Sequence, residues 1–322
     1  MGRILILTDG KAGHENQSKA FARALGCDFD LVEVHFKSKF HKALSYLLDW
    51  VGVRSMRLLS IAAEGNPMEM KPVAVIGTGS GTFYAAKTTA HRLGVKCGVV
   101  LYPRGYRLST FDCILAPAFD RPAKAPNVIK IPANLVANDE SFYAKGVEAF
   151  REKLGAGADA RLETKDAVAV IVGGPNKCST MTSEWMKAQL DRIFSSSPIP
   201  HSSSPKPRFW VTTSRRTPPE VEAVVDSYPW DYKLLYSKDH FNPIPAFVKL
   251  AKRLYVTAES TGMLSEACTF GMAEVVALDN LKPGPHKFRR FVEDLRRDGY
   301  VDGKRKVDLS AQFAAARALM MG

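Results

Sequence analysis

Four loops in this sequence combine glycine or hydroxyl residues with side chains that can do chemistry. The first is Asp9-Gly10-Lys11-Ala12-Gly13-His14-Glu15-Asn16-Gln17. A histidine in a polar loop, with a carboxylate shortly before it and a lysine between, has the parts of a general base. The second is Gly173-Gly174-Pro175-Asn176-Lys177, a phosphate-sized loop that follows an apolar run. The third, Thr213-Ser214-Arg215-Arg216-Thr217-Pro218-Pro219-Glu220, sets two guanidinium groups beside a helix start. Such a pair makes an anion site in which each charge-assisted bond is worth roughly 1.5–3 kcal/mol if desolvated. Thr217 with Glu220 reads as a capping box, and Pro218 fits the first helical position. The fourth runs from Thr257 to Gly271. Its Ser260-Thr261-Gly262 turn offers hydroxyls and a residue without Cβ where a helix begins, and the first helical N–H groups suit a phosphate. Glu266 lies at the edge of the apolar stripe Met263, Ala267, Phe270, where its carboxylate can accept hydrogen bonds from two vicinal hydroxyls of a ribose. Blander readings fit the same residues: a βαβ unit with a surface glutamate, a solvated basic turn, a structural or exposed histidine.

The elements that position these loops are apolar runs of the kind buried parallel strands need: Ile4–Leu7, Val73–Ile76, Gly98–Leu101, Ala167–Val172, Phe209–Val211, Leu254–Val256 and Val275–Leu278. Each alternates with a helical pattern, which predicts an α/β protein whose loops bind ligands at the carboxyl edge of the sheets. Gly77-Thr78-Gly79-Ser80-Gly81 looks like a dinucleotide fingerprint, but Thr82 stands where the third glycine belongs and the next strand ends without an acidic residue. It is expected to be a tight turn and not an NAD site. Asp28-Phe29-Asp30 spells a DxD, yet it falls at a helix-to-strand connection, the wrong edge for a site, and reads as a solvated turn. Gly155-Ala156-Gly157-Ala158 is the expected linker, dividing residues 1–155 from 156–322, with a terminal helix from Leu309 to Met321 returning to the first domain. Ser195–Pro207 reads as a mobile surface loop. Residues 36–59 mix Lys37, Lys39, Lys42, Arg54 and Arg57 with Phe40, Leu47, Trp50 and Val51. They form a basic amphipathic stretch that either lies on an anionic membrane surface or turns its apolar residues to the core.

The 322 residues suffice for two domains, and a formal net charge of +12 favours an anionic partner: a nucleotide, an acidic lipid surface or nucleic acid. Nucleic acid is the least favoured, because the basic residues are not interleaved with exposed aromatics in any known module. The 5 cysteines contain no CxxC pair, which suits a reducing compartment and argues against a zinc site. No leader and no membrane-spanning run is evident, so a cytoplasmic location is expected, either free or peripheral to a membrane.

The segment Thr257–Gly271 is similar to the nucleotide-binding signature of two-domain GT-B glycosyltransferases, a Ser/Gly turn before a helix bearing Glu-Ala and a later glycine. Asp9–Gln17 resembles the Gly-Gly-His acceptor loop of lipid-linked N-acetylglucosamine transferases. It resembles more closely the Asp-Gly-x-x-Gly-His-x-x-Gln opening of the mitochondrial-fission "elongated mitochondria" family and its bacterial relatives. Thr212-Thr213-Ser214-Arg215-Arg216-Thr217-Pro218 matches that family's pattern position for position. The chain departs from the pattern at Pro117-Ala118-Phe119-Asp120, where the arginine and histidine of a Pro-Arg-His-Asp run are missing and Asp120 is kept, and at Ile244, where an aromatic residue is usual. The resemblance covers nearly the whole chain. It implies a GT-B-like fold, two Rossmann-like domains with parallel sheets facing a central cleft. The activity it implies is metal-independent transfer from a nucleotide sugar, a co-substrate and not a cofactor, possible acceptors being lipid-linked or in the cell envelope. His14 and Asp9 would be catalytic. Gly173, Gly174, Ser214, Arg215, Arg216, Ser260, Thr261 and Lys287 would hold the diphosphate and Glu266 the ribose. Lys11, Gly13, Asn16, Gln17, Tyr102 and Arg104 would lie on the acceptor side. A non-catalytic scaffold of the fission family and a nucleotide-sugar 2-epimerase are the alternatives.

Overall fold

The structure, a computed structural model, describes residues 2–62, 71–155, 167–195 and 207–322. The expected linker residues 156–158 and the expected loop over 196–206 lie outside the described residues. Two compact units divide the chain, Met1–Ala137 with Asp308–Gly322, and Asn138–Val307.

The first unit holds a 7-stranded sheet in the order β3-β2-β1-β4-β5-β6-β7. Its strands are β1 (Arg3–Thr8), β2 (Asp28–Phe36), β3 (Leu59–Ala62), β4 (Ala74–Thr78), β5 (Lys96–Val100), β6 (Cys113–Pro117) and β7 (Val128–Ile131). All neighbours are parallel except the edge pair β2–β3. Ile4, Leu5, Ile6 and Leu7 are buried on both faces, as a central parallel strand requires. The second unit holds a 5-stranded, wholly parallel sheet in the order β10-β9-β8-β11-β12. These strands are β8 (Val168–Ile171), β9 (Phe209–Thr212), β10 (Tyr232–Leu234), β11 (Arg253–Thr257) and β12 (Glu274–Leu278).

Strand order reverses between β1 and β4 in the first sheet and between β8 and β11 in the second. Chains leave a parallel sheet in opposite directions at such a point, so a crevice opens there at the carboxyl ends. The loops carrying Asp9 and Gly79 flank the first reversal; those carrying Gly173 and Ser260 flank the second.

The boundary differs from the expected one. Helix Glu140–Leu154 belongs to the second unit, because Phe150 packs edge-on against Trp210, Tyr232 and Phe247. Gly146 also meets Pro245 so closely that a Cβ would sit 2.4 Å from its Cβ. Asp28 and Asp30 lie in strand β2 and not in a turn; Arg3 pairs with both, at 4.0 and 2.6 Å, on the amino edge of the sheet. By its packing on β5, β6, β7 and helix Ala12–Ala24, helix Ser310–Met321 is part of the first unit.

Candidate functional site

The first sheet delivers Asp9 from the end of β1, and helix Ala12–Ala24 starts with His14 in its first turn. His14 Nδ1 lies 3.0 and 3.1 Å from the two Asp9 carboxylate oxygens. A carboxylate only accepts, so Nδ1 carries the proton and a neutral ring presents the lone pair of Nε2. Nε2 has no hydrogen-bond partner among the described residues. The Asp9 side chain is 6% exposed and that of His14 25%. Burial works to raise the Asp9 carboxyl, but hydrogen bonds from Lys11 (2.6 Å) and His14 outweigh it and hold it below the usual carboxylate range.

The Gly77–Gly81 turn, at the end of β4, is what this pair rests on. Gly79 has φ +83°, and a Cβ there would lie 2.4 Å from His14 Cε1; one on Gly81 would lie 2.9 Å from Asp9 Cβ and Oδ2. The turn's glycines are needed because a histidine and an aspartate fill the space a side chain would take. Nothing in the sequence links this turn to Asp9–Gln17; only the β1–β4 pairing does.

Of the other acceptor-side residues, Gly13 and Asn16 are exposed and Gln17 is buried. Gln17 Nε2 donates to Gly13 O at 3.2 Å, while its Oε1 is buried without a partner among the described residues. Tyr102 and Arg104 follow β5 at the same sheet edge. The Arg104 guanidinium lies 5.4 Å from the Tyr102 ring centroid and donates to the Asp120 carbonyl, so these two brace each other and the following loop.

In the second unit three neighbouring strands bring their loops together. Gly173 and Gly174 follow β8, Ser214, Arg215 and Arg216 follow β9, and Ser260 and Thr261 follow β11. The residue that ties them is Glu259, 2% exposed and not singled out by the sequence. Its Oε1 accepts from the Gly174 N–H at 2.8 Å and from Thr257 Oγ1 at 3.1 Å, and its Oε2 accepts from Asn280 Nδ2 at 2.8 Å. Gly173 N–H donates to Thr257 Oγ1 at 2.8 Å. Both glycine amides are therefore engaged within the protein and do not form an open phosphate nest. The glycines answer a steric need instead. A Cβ on Gly173 would sit 2.0 Å from Glu259 Oε1, and one on Gly174 2.2 Å from the Arg216 carbonyl oxygen.

Thr217 is not the expected cap. Its hydroxyl donates to Gly173 O at 2.6 Å and accepts from Ser214 N–H at 2.9 Å, and helix Pro219–Asp226 begins after Pro218. Hydroxyl chemistry that a capping box would use within one turn here clamps the β9 loop onto the β8 loop. Arg215 and Arg216 are exposed and have no acidic partner among the described residues. Beside them a cavity of about 480 Å³ is lined by Ser214, Arg215, Glu222, Tyr236 and Lys238, among others; Ser260 and Glu266 are not among its walls.

Ser260 precedes helix Thr261–Thr269, and its side chain makes no cap hydrogen bond. Glu266, half-buried on that helix, accepts from the buried Tyr143 hydroxyl at 2.9 Å, and Tyr143 stacks on Phe270. Burial pushes the Glu266 carboxyl above its ordinary value, with the Tyr143 bond opposing. Lys287 opens helix Lys287–Arg297 and is exposed; Arg289, one turn in, is anchored to Asp279 at 3.1 Å beyond β12. Among the described residues no three His, Cys, Asp or Glu side chains converge as a metal-ligating group.

Two Rossmann-like α/β units, each with its polar loops at the reversal of a parallel-dominated sheet, define a GT-B-like fold. The chain belongs to the mitochondrial fission ELM1 family, whose sequence model matches residues 12–315. Among solved structures it is similar to the UDP-GlcNAc 2-epimerase of Neisseria meningitidis bound to UDP-GlcNAc, with a TM-score of 0.52 and 11% identity over 99% of this chain and 98% of that one. It is also similar to MurG of Acinetobacter baumannii (TM-score 0.46, 13% identity, 99% and 92% of the chains) and to the glycosyltransferase SnogD of Streptomyces nogalater (0.45, 12%, 99% and 93%). No curated protein matches the chain significantly.

Proposed function

We propose that the protein is a metal-independent GT-B-type glycosyltransferase that takes a nucleotide sugar as donor and works on a lipid-linked or cell-envelope acceptor at an anionic membrane surface. The observation that carries this reading is the Asp9–His14 pair. A carboxylate kept ionised fixes the imidazole tautomer, and the open Nε2 takes the acceptor hydroxyl proton as the hydroxyl attacks the sugar carbon. The imidazolium so formed is stabilised by Asp9. In the second unit Arg215, Arg216, Lys287 and the helix start at Ser260–Thr261 supply positive charge to the leaving diphosphate, the role a metal fills elsewhere. The carboxylate of Glu266, one oxygen held by Tyr143, receives a ribose hydroxyl. The UDP-GlcNAc bound in the Neisseria structure supports a nucleotide sugar as the donor class.

A thermal-shift panel of nucleoside diphosphates and nucleotide sugars tests the donor. Stabilisation is expected, with affinity falling about tenfold in Arg215→Ala. His14→Ala is expected to keep donor affinity and lose roughly 10²–10⁴ in transfer rate. NMR of the sugar product without acceptor separates the chemistries: a C2 epimer formed there would make the protein an epimerase. No binding anywhere in the panel would leave a non-catalytic scaffold.

A further inference from the structure

Helix Lys39–Trp50 is apolar on two sides: Leu44, Tyr46 and Leu48 pack inward beside the buried Ser45 and Asp49, and a second apolar arc faces outward. Inward, Ser45 Oγ hydrogen-bonds Tyr106 Oη at 2.8 Å, and Asp49 accepts from Lys87 Nζ and, at 2.7 Å, from the Arg107 N–H. Lys87 is 1% exposed, and burial lowers its affinity for its proton against the pull of Asp49. Outward, Phe40, Leu47 and Trp50 are 71%, 56% and 74% exposed, and Val51 and Val53 continue the same apolar surface. Rolling the helix over to bury these side chains would strand a buried lysine without its counter-ion, a change that costs far more than the aromatics would regain. The outward arc is therefore fixed.

Its charge tells what covers it. Between residues 36 and 60 the basic residues are Lys37, Lys39, Lys42, Arg54 and Arg57, and the sole acid is Asp49, buried in its pair with Lys87. Within helix Lys39–Trp50 itself no acidic side chain is exposed. Exposed tryptophan and phenylalanine ringed by lysine and arginine are what an interface between anionic headgroups and acyl chains accommodates. We propose that this face docks on an anionic lipid surface, the helix lying in the interface plane with Phe40, Leu47 and Trp50 among the acyl chains and Lys37, Lys39 and Arg57 at the headgroups.

The same helix touches the candidate site. Lys42 Nζ donates to Ser80 Oγ at 2.8 Å, and Ser80 stands between Gly79, which faces the His14 ring, and Gly81, which faces Asp9. The docking face is thus one hydrogen bond from the turn under the Asp9–His14 pair. Delivery of a lipid-linked acceptor along that route rests on the glycosyltransferase reading; the docking does not.

Co-sedimentation tests the docking, using vesicles of phosphatidylcholine and phosphatidylglycerol in equal parts beside vesicles of phosphatidylcholine alone. Binding to the anionic vesicles, weakened by salt, is expected, with Trp50 fluorescence quenched by brominated acyl chains. The triple variant Phe40→Ser, Leu47→Ser, Trp50→Ser should lose roughly a hundredfold or more in partitioning. The pair Lys37→Glu, Lys39→Glu should lose about tenfold or more. Because these side chains are exposed, the melting curves should stay close to that of the wild type, so lost binding is not lost fold. Equal binding to both vesicle types, or a triple variant that binds like the wild type, overturns the proposal. A concentration-dependent dimer that the triple variant abolishes, without vesicle binding, overturns it in favour of a second copy of the chain. No nucleotide sugar is present, so failure here is distinguishable from failure of the donor reading.

Discussion

At the scale of single residues, two carboxylates near the end of β11 illustrate opposite uses of burial. Glu259 is buried with donors on both oxygens, from Gly174, Thr257 and Asn280, so it serves as a structural anchor. Glu266 is half-buried, holds the Tyr143 hydroxyl, and has its carboxyl raised by burial. A raised carboxyl means the folded chain binds that proton more tightly than the unfolded chain. Ionised Glu266 then detracts from stability above its folded pKa, and the penalty disappears as pH falls below the unfolded value. Glu266→Gln, which still accepts from Tyr143, should therefore melt higher at neutral pH, and the gain should vanish on acidification. Melting temperatures of both proteins across that range check it; a constant difference at every pH would remove the titration argument. Glu266 was legible because its spacing puts it beside an apolar stripe. Glu259 was not, since its burial depends on Asn280 and Gly174, which arrive from other strands.

At the scale of elements, the strands are legible as apolar runs and the loops as glycine clusters, but which loop backs which is not. The Gly77–Gly81 turn reads in sequence as a failed dinucleotide fingerprint, and its actual role comes from lying beside β1 in the sheet. Thr217 was misplaced for a related reason: a capping box is a local pattern, and the hydroxyl found a better acceptor in Gly173 O across the sheet edge. The turn's role can be isolated by two glycines that share backbone strain and differ in surroundings. Gly79 has φ +83° with the His14 ring in the Cβ position, whereas Gly94 has φ +67° with nothing within 4 Å. Alanine at either should cost about 1 kcal/mol or more of stability from left-handed strain. Only Gly79→Ala should push the imidazole from Asp9 and lower turnover, by about a hundredfold if His14 is the base. Steady-state kinetics beside thermal melts read this directly; equal activity losses in both variants would detach the turn from the dyad.

At the scale of the whole molecule, the legible part was that two α/β units share the chain; where one stops was harder. Gly155–Ala158 has the composition of a joint, yet the change of unit falls between Ala137 and Asn138. Glycine content reports local freedom, whereas the aromatic face of helix Glu140–Leu154 commits it to Trp210, Tyr232 and Phe247, partners that sequence spacing does not reveal. The chain's last segment, residues 308–322, completes the first unit after the second has been made. Arg317 donates to the Ala24 carbonyl at 2.8 Å, Met320 is 2% exposed, and a Cβ on Gly98 of β5 would lie 3.1 Å from Met320 Cε. Met320 and Ala316 are thus core residues of a unit whose other long segment ends at Ala137, before the whole of the second unit. Removing residues 308–322 should uncover β5, β6 and helix Ala12–Ala24 while leaving the second sheet intact. Hydrogen exchange should then quicken in β5–β7 and in helix Ala12–Ala24, with β8, β9 and β11 protected as before. Exchange that quickens equally in both sheets would mean that the two units unfold as one and that the last helix supports more than the unit it packs on.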